Sequence, residues 1–327
     1  MRIIYLCPFT GMCGGTKVIA EHVTRLATRG HAAEWWGLQS APTWFSRIVP
    51  YRRFHTTDEL GDALQQQHAA IVATWWQTAS WVAPNLRHGS RGFYLVQDID
   101  ELTYGMSSAG TSYKLGLRCI TESEWVTREL KLRYGVDAVN VGIGIDHRVF
   151  RPHPDGTWDK DAVMTSYRPL AGPNDLKGWG TAVHVAELVG GINLLSHLIT
   201  FGNNGPPKSI PSIPHFHHHN LTDEQLCGLY SYAGVYLMTS RHEGFGLPAA
   251  EAMACQTPVV CTDANGNMEF CRHGETAIVG RNVEELADAV LKVQRDGATK
   301  MVQRAFDLIQ TYQWESVIDR LETLLKG

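Results

Sequence analysis

Residues 243–251 read Glu243-Gly-Phe-Gly-Leu-Pro-Ala-Ala-Glu251, two carboxylates eight positions apart with a Gly-Phe-Gly turn and a proline between them. Before them runs Ala233-Gly-Val-Tyr-Leu-Met-Thr239, short and apolar as a buried parallel strand should be. Pro248 opens an alanine-rich stretch to Ala254 that favours a helix, with the proline near its first turn. The segment therefore spans the passage from a strand to a helix. In open α/β sheets ligands bind at such passages, because the helix N-terminus offers unpaired N–H groups and a partial positive charge to an anion. Gly244 and Gly246 allow close backbone approach, and Glu243 and Glu251 can accept from hydroxyl groups. A sugar joined to a phosphate needs both kinds of contact.

Working outward, the same alternation recurs. Apolar runs at Ile3–Cys7, 69–73, 92–96 and 118–121 alternate with helical patterns such as Lys17–Thr28 and Glu124–Tyr134. Turn residues cluster from Val141 to Asp146 and from Phe150 to Pro154, and a linker is expected there. A second series follows: strand 162–166, helix 178–189, strand 198–201, helix 223–232, strand 235–239, helix 248–255 and strand 258–261. Three helices, 284–295, 300–309 and 314–325, close the chain. The reading is a doubly wound parallel sheet in each of two domains, within a length of 327 residues that can bury two cores.

Composition narrows the function classes. Charged residues make 19% of the chain and no apolar run reaches the length of a membrane span, so a globular, cytoplasmic protein is expected. The opening Met1-Arg-Ile-Ile-Tyr-Leu-Cys-Pro8 reads as a first strand rather than a signal peptide. The seven cysteines are scattered, odd in number and without close metal-type pairs, and are expected to be reduced. No basic stripe marks a nucleic-acid binder at a net charge of −4. The slight basic excess of the first half leaves peripheral contact with the inner face of a membrane, or with a polyanionic acceptor, as a second expectation.

Three anion-binding features fall at strand ends. Gly14-Gly15 opens the first helix, Arg168 with Lys177-Gly178 flanks the loop after the strand at 162–166, and the Glu243–Glu251 segment is the third. The first two also suit an ordinary turn and an ordinary charged loop.

Together these features resemble glycosyltransferase family 4. The matching residues run the length of the chain: Gly14-Gly15, the linker Ile143-Gly-Ile-Asp146 to Phe150-Arg-Pro152, Arg168, Lys177-Gly178, Glu243–Glu251, the Glu269 region and Trp314-Glu315. The resemblance implies the GT-B architecture, two Rossmann-like domains facing each other across a cleft. It implies an acceptor-side domain at 1–150, a nucleotide-sugar domain at 151–311, and a terminal helix at 312–327 that packs back on the first. Arg168 and Lys177 would hold the donor's diphosphate, Glu243 the sugar hydroxyls, the Phe245-Gly246-Leu247 backbone the sugar and phosphate, and Glu251 the ribose hydroxyls.

The chemistry implied is sugar transfer from a nucleoside diphosphate with retention at the anomeric carbon. The acceptor would be the hydroxyl of a glycan, a lipid-linked glycan or another glycoconjugate. Fixed cations and helix dipoles would stabilise the departing diphosphate, so no cofactor or metal is expected beyond the nucleotide-sugar co-substrate. Domain closure would align the reactants and exclude water. The same donor chemistry on a nucleic-acid base or small metabolite, a sugar-nucleotide epimerase, and a non-catalytic binder are the alternatives.

One departure concerns Tyr94-Leu-Val-Gln-Asp98, where many members carry a histidine in place of Gln97. A glutamine can hydrogen-bond a hydroxyl but cannot carry a proton, so no such role is expected at this position. Asp98, Asp100 and Glu101 fall in the same loop and could orient an acceptor hydroxyl. Trp75, Trp76 and Trp35-Trp36 read first as core and second as stacking platforms for an acceptor. His215, His217, His218 and His219 read as a loop rather than a metal site.

Overall fold

The computed structural model describes residues 1–106, 109–153, 158–168, 175–192, 194–203, 205–207 and 212–327. The chain forms two compact units, one of Met1–Ile143 with Trp314–Gly327 and one of Gly144–Gln313. The first begins β1 (Arg2–Leu6), α1 (Gly14–Thr28), β2 (Ala32–Gly37), β3 (Tyr51–Arg53), α2 (Thr57–Gln65), β4 (Ala70–Ala73) and α3 (Trp76–Val82). It continues β5 (Arg91–Val96), α4 (Asp100–Tyr104), α5 (Ala109–Ser112), β6 (Arg118–Thr121), α6 (Glu124–Tyr134) and β7 (Ala138–Asn140). The second begins β8 (Asp159–Ser166), α7 (Trp179–Gly190), β9 (His197–Gly202), β10 (His215–His219), α8 (Asp223–Tyr232) and β11 (Ala233–Met238). Then come α9 (Leu247–Ala254), β12 (Val259–Cys261), β13 (Ile278–Val279), α10 (Val283–Asp296) and α11 (Thr299–Ile309), before α12 (Trp314–Lys326) returns to the first unit.

The first sheet is ordered β3-β2-β1-β4-β5-β6-β7 and the second β10-β9-β8-β11-β12-β13, with every pair parallel. Helices cover both faces of such sheets, which is why β4 and β11 are apolar and buried at every position. In each unit the chain winds outward in one direction and then turns back past its first strand. The reversals lie between β1 and β4 and between β8 and β11, and there the crevices for ligands open at the strands' carboxyl ends. Trp35 and Trp36 are fully buried on β2, with Trp36 packed on Phe54, so neither is an acceptor platform.

Three expectations are revised. The first helix begins at Gly14 rather than Lys17, with Cys13 as its extended N-cap, so that Gly14-Gly15 does open it. The histidine cluster forms the edge strand β10 rather than a loop, since β9 offers it a parallel register and Thr200 offers its histidines a hydroxyl. His215 and His217 alternate onto one face there, against Trp179 and Tyr167 respectively. The boundaries expected at 150 and 311 fall at Ile143/Gly144 and Gln313/Trp314. Ile145 N–H donates to Tyr312 O at 2.9 Å and Phe150 packs on Tyr230, which ties 145–150 to the second unit.

α12 docks on α1 by an apolar face of Trp314, Val317, Ile318, Leu321, Leu324 and Leu325, all buried. Charge borders it: Arg29 reaches Glu315 at 2.8 Å, Asp319 at 2.6 Å and Glu322 at 3.1 Å, while Arg25 reaches Glu315 at 3.0 Å. Trp314 also meets the buried His22 ring edge-on at 5.7 Å. Among the described residues no helix is long and apolar enough to cross a membrane.

Candidate active site

In the second unit, two helix N-termini meet at the reversal between β8 and β11. Gly178 caps α7 with a left-handed backbone, φ 66°, and its Cα lies so close to β11's end that a Cβ would stand 2.0 Å from Thr239 O. Thr239 Oγ1 bonds the carbonyls of Lys177 and Gly178 at 3.0 and 2.9 Å, and Arg241 N–H donates to Leu176 O. The turn before α7 is thus sewn to the segment after β11. Gly246, φ 98°, caps α9 in the same left-handed way. Gly180 N–H in the first turn of α7 donates to Asp175 Oδ2 at 2.9 Å, and Ala249 N–H in that of α9 to Gly246 O at 3.1 Å, so what the two helix ends lend the crevice is chiefly the positive end of their dipoles.

Lys177 and Glu243 form its polar centre. Lys177 Nζ donates to Glu243 Oε1 at 2.5 Å, and Ser240 Oγ donates to the same oxygen at 2.6 Å. Both members of the ion pair are mostly buried, at 18% and 11% side-chain exposure, so water screens them less than a surface pair. The Glu243 backbone is laced to the loop after β12: its N–H donates to Ala264 O at 2.8 Å and its carbonyl accepts from Gly266 N–H at 3.0 Å. That approach requires Gly266, where a Cβ would meet Gly244 O at 2.1 Å. Asn267 holds the same loop through Ala264 N–H and Thr262 O.

Phe245 turns its ring inward onto Phe270 and Tyr312, leaving its backbone to line the turn. Leu247 is half-buried at the head of α9. Glu251 lies further along α9 with only 4% exposure, and Tyr230 Oη donates to its Oε2 at 3.4 Å. Burial, and then the Glu251 carboxylate, push the Tyr230 phenol well above its usual range, so it stays a donor. Arg168 is exposed two residues beyond β8. The structure therefore brings Lys177, Glu243 and the 245–247 turn together, with Ser240, Gly266 and Asn267 as supports that the sequence reading missed. A short hydroxyl residue three positions before Glu243 was the signal for Ser240.

In the first unit, the ends of β1, β5 and β6 bring Gly14, Gly15, Gln97 and Glu122 together. Gln97 Nε2 donates to Gly15 O at 3.1 Å and to Glu122 Oε1 at 3.0 Å. Glu122, which the sequence reading also missed, follows β6 and is 5% exposed. Burial pushes its carboxyl up to about 8, with the Gln97 bond pulling the other way. Asp98 Oδ1 accepts from Ile99 N–H, and Asp100 is buried with its carboxyl raised to about 7 by burial and by Asp98. Glu101 takes the Tyr134 hydroxyl at 2.6 Å. Trp75 is the N-cap of α3 and Trp76 its first residue, both half-buried. The metal-free expectation took the sequence to lack an Asp-x-Asp triplet, which is wrong: it holds two, Asp98-Ile99-Asp100 and Asp159-Lys160-Asp161. Asp159 is bonded to Ser196 and Tyr232. Among the described residues no three His, Cys, Asp or Glu side chains are grouped to hold a metal ion.

This architecture, two parallel-sheet α/β units each with a crevice at its strand reversal, is of the GT-B class. It superimposes on sucrose-phosphate synthase from Thermosynechococcus elongatus with a TM-score of 0.84 and 17% identity, covering 99% of this chain and 98% of that one. Anabaena HepE, solved in complex with UDP-glucose, gives a TM-score of 0.81 at 15% identity over 100% and 99%. At such identities the likeness is one of fold. Residues 213–307 match the family model for glycosyl transferases group 1.

Among curated relatives, a D-inositol 3-phosphate glycosyltransferase of Thermomonospora curvata is 26% identical over 249 residues, 64% of this chain and 57% of the relative. O-antigen chain mannosyltransferase B of Escherichia coli is 34% identical over 98 residues, 29% of this chain and 25% of the relative. The chain thus spans less than two thirds of these curated relatives.

Proposed function

We infer that this protein is a retaining glycosyltransferase that moves a sugar from a nucleoside diphosphate sugar to an acceptor hydroxyl in glycoconjugate biosynthesis. The observation that carries the reading is the Lys177–Glu243–Ser240 cluster set between the N-termini of α7 and α9. A diphosphate departing from the anomeric carbon gains negative charge, and a cation with two helix ends is most favourable when that charge has developed. In this reading Lys177 and Arg168 receive the diphosphate without a metal. The Phe245-Gly246-Leu247 backbone lines its path. Glu243 holds sugar hydroxyls and Glu251 ribose hydroxyls. Without donor, Glu243 and Ser240 keep the Lys177 ammonium in place, so little reorganisation precedes binding.

The first unit is proposed to receive the acceptor, a glycan or lipid-linked hydroxyl compound, near Gly14, Gly15, Gln97, Asp98, Trp75 and Trp76. The solved complex of HepE with UDP-glucose supports a uridine nucleotide as the first donor to try.

The test is thermal stabilisation by UDP, GDP, TDP and ADP at matched concentration, with Glu251→Ala as control. A nucleotide at 100 times its dissociation constant adds about 2.7 kcal/mol, a shift of several degrees. A selective shift that the variant loses supports the donor site and names the nucleotide. An absence of shift with all four, or an equal shift in the variant, overturns it. Sugar transfer from the matching nucleotide sugar then separates a transferase from an epimerase, which would return an altered nucleotide sugar with no acceptor present.

A further inference from the structure

The first unit contains a buried carboxyl that the functional reading does not yet use. Thr121 pairs with Val96 across β5 and β6, so the next residues, Gln97 and Glu122, emerge side by side. Glu122 is more than nine-tenths buried, and burial and the Gln97 bond, with no Lys, Arg or His among the described residues, set its electrostatics. A carboxyl taken out of water without a cation is costly, and an apolar side chain would fill the place at less expense. What it touches is the side-chain amide of Gln97.

The orientation of that amide follows from chemistry. Gly15 O can only accept, so the Gln97 atom 3.1 Å from it must be the amide nitrogen. The second amide hydrogen goes to Glu122 Oε1 at 3.0 Å. Both donors are then taken, and Gln97 Oε1 remains, lying 2.8 Å from where a Cβ on residue 15 would stand. A Cβ at residue 15 would push it aside, and glycine leaves it in place. Resting on the transferase reading, we propose that Glu122 is a positioning residue, which with Gly15 O locks the Gln97 amide so that Oε1 faces a substrate hydroxyl purely as an acceptor. Position 97 then orients a hydroxyl and moves no proton. Because burial raises the Glu122 carboxyl, it is largely protonated near neutral pH, and a glutamine there can supply the same accepting oxygen.

The experiment uses Glu122→Gln, Glu122→Leu, Gln97→Ala and the double variant Gln97→Ala/Glu122→Leu, each first shown to melt cooperatively. NMR of the side-chain amides, with the Gln97 pair identified by its loss in Gln97→Ala, should show two resolved, protected hydrogens in the wild type and in Glu122→Gln. In Glu122→Leu one of them should exchange at least about tenfold faster, the worth of one lost hydrogen bond. Transfer should lose about tenfold in kcat/KM in Glu122→Leu, recover in Glu122→Gln, and fall no further when Glu122→Leu is added to Gln97→Ala. Unchanged protection in Glu122→Leu, or a full additional loss in the double variant, would overturn the proposal. A wild type inert toward every nucleotide sugar would overturn the functional reading instead, and amide exchange would still decide whether Glu122 holds Gln97.

Discussion

Glycine 178 shows how much of the site depends on missing atoms. Its backbone is left-handed and its Cα abuts the carbonyl of Thr239, so a methyl group has neither the torsion nor the space it needs. Gly178→Ala should cost about 1–3 kcal/mol and weaken nucleotide binding by pulling Lys177 away from Glu243. Urea unfolding and nucleotide titration check this, and an alanine variant of wild-type stability would contradict the close approach. Glu122 gives a prediction of opposite kind. Its folded carboxyl sits at about 8, against about 4.3 in an unfolded chain. Between those values the native state keeps a proton that the unfolded state releases, so this group makes stability fall as pH rises from about 5 to 8. Glu122→Gln should remove that slope in urea unfolding at pH 5, 6.5 and 8; parallel curves for both proteins would refute it. At this scale the sequence disclosed Lys177, Glu243 and the glycines, since a motif at a strand end carries them. It concealed Glu122 and Asn267, whose roles arise only when separate loops are brought together by strand register.

Among the elements, α12 has the most legible sequence, because its apolar residues recur at helical spacing from Trp314 to Leu325. Leu321 is fully buried in its face. Leu321→Ala should cost about 2–5 kcal/mol in the first unit while leaving nucleotide affinity in the second within about twofold. Parallel denaturation and titration would separate the two effects, and a matched loss of nucleotide affinity would count against independent units.

Acid should loosen the same helix. Burial holds His22 neutral down to about 3, whereas an unfolded histidine takes its proton near 6.5, so stability falls as pH drops through that window. Lys326, His31 and Arg29 hold the Glu322 carboxyl down to about 2, and their exposed pairing, worth about 1 kcal/mol or less, is lost below about pH 4. His22→Gln should flatten the decline between pH 6.5 and 4, as read from urea midpoints; an unaltered decline would discard His22 as its source. Strands were harder to read than helices. β2, β3 and β7 passed unmarked in the sequence, and β10 was taken for a loop. Short strands near an edge lack the continuous apolar run of β4 or β11, and histidines there pair with one hydroxyl on the neighbouring strand.

For the whole molecule, the repeated alternation of strand and helix was enough to read two doubly wound sheets. The exact seams were not legible, since Ile145 and Tyr312 are joined by a backbone bond that leaves no trace in composition. Because the Lys177–Glu243 cluster belongs wholly to the second unit, a nucleoside diphosphate should slow amide hydrogen exchange chiefly at 176–182 and 239–251. Protection confined to residues 1–143 would place the nucleotide elsewhere.

The return of α12 also bears on how the chain is made. Residues 144–313 form a continuous unit and can close as soon as they leave the ribosome, in the usual domain-by-domain way. Residues 1–143 are synthesised first, yet the apolar surface that receives Trp314, Ile318 and Leu321 stays uncovered until those residues arrive. The earlier-born half is therefore the later one to be finished, and during that interval it is the half that most needs a chaperone.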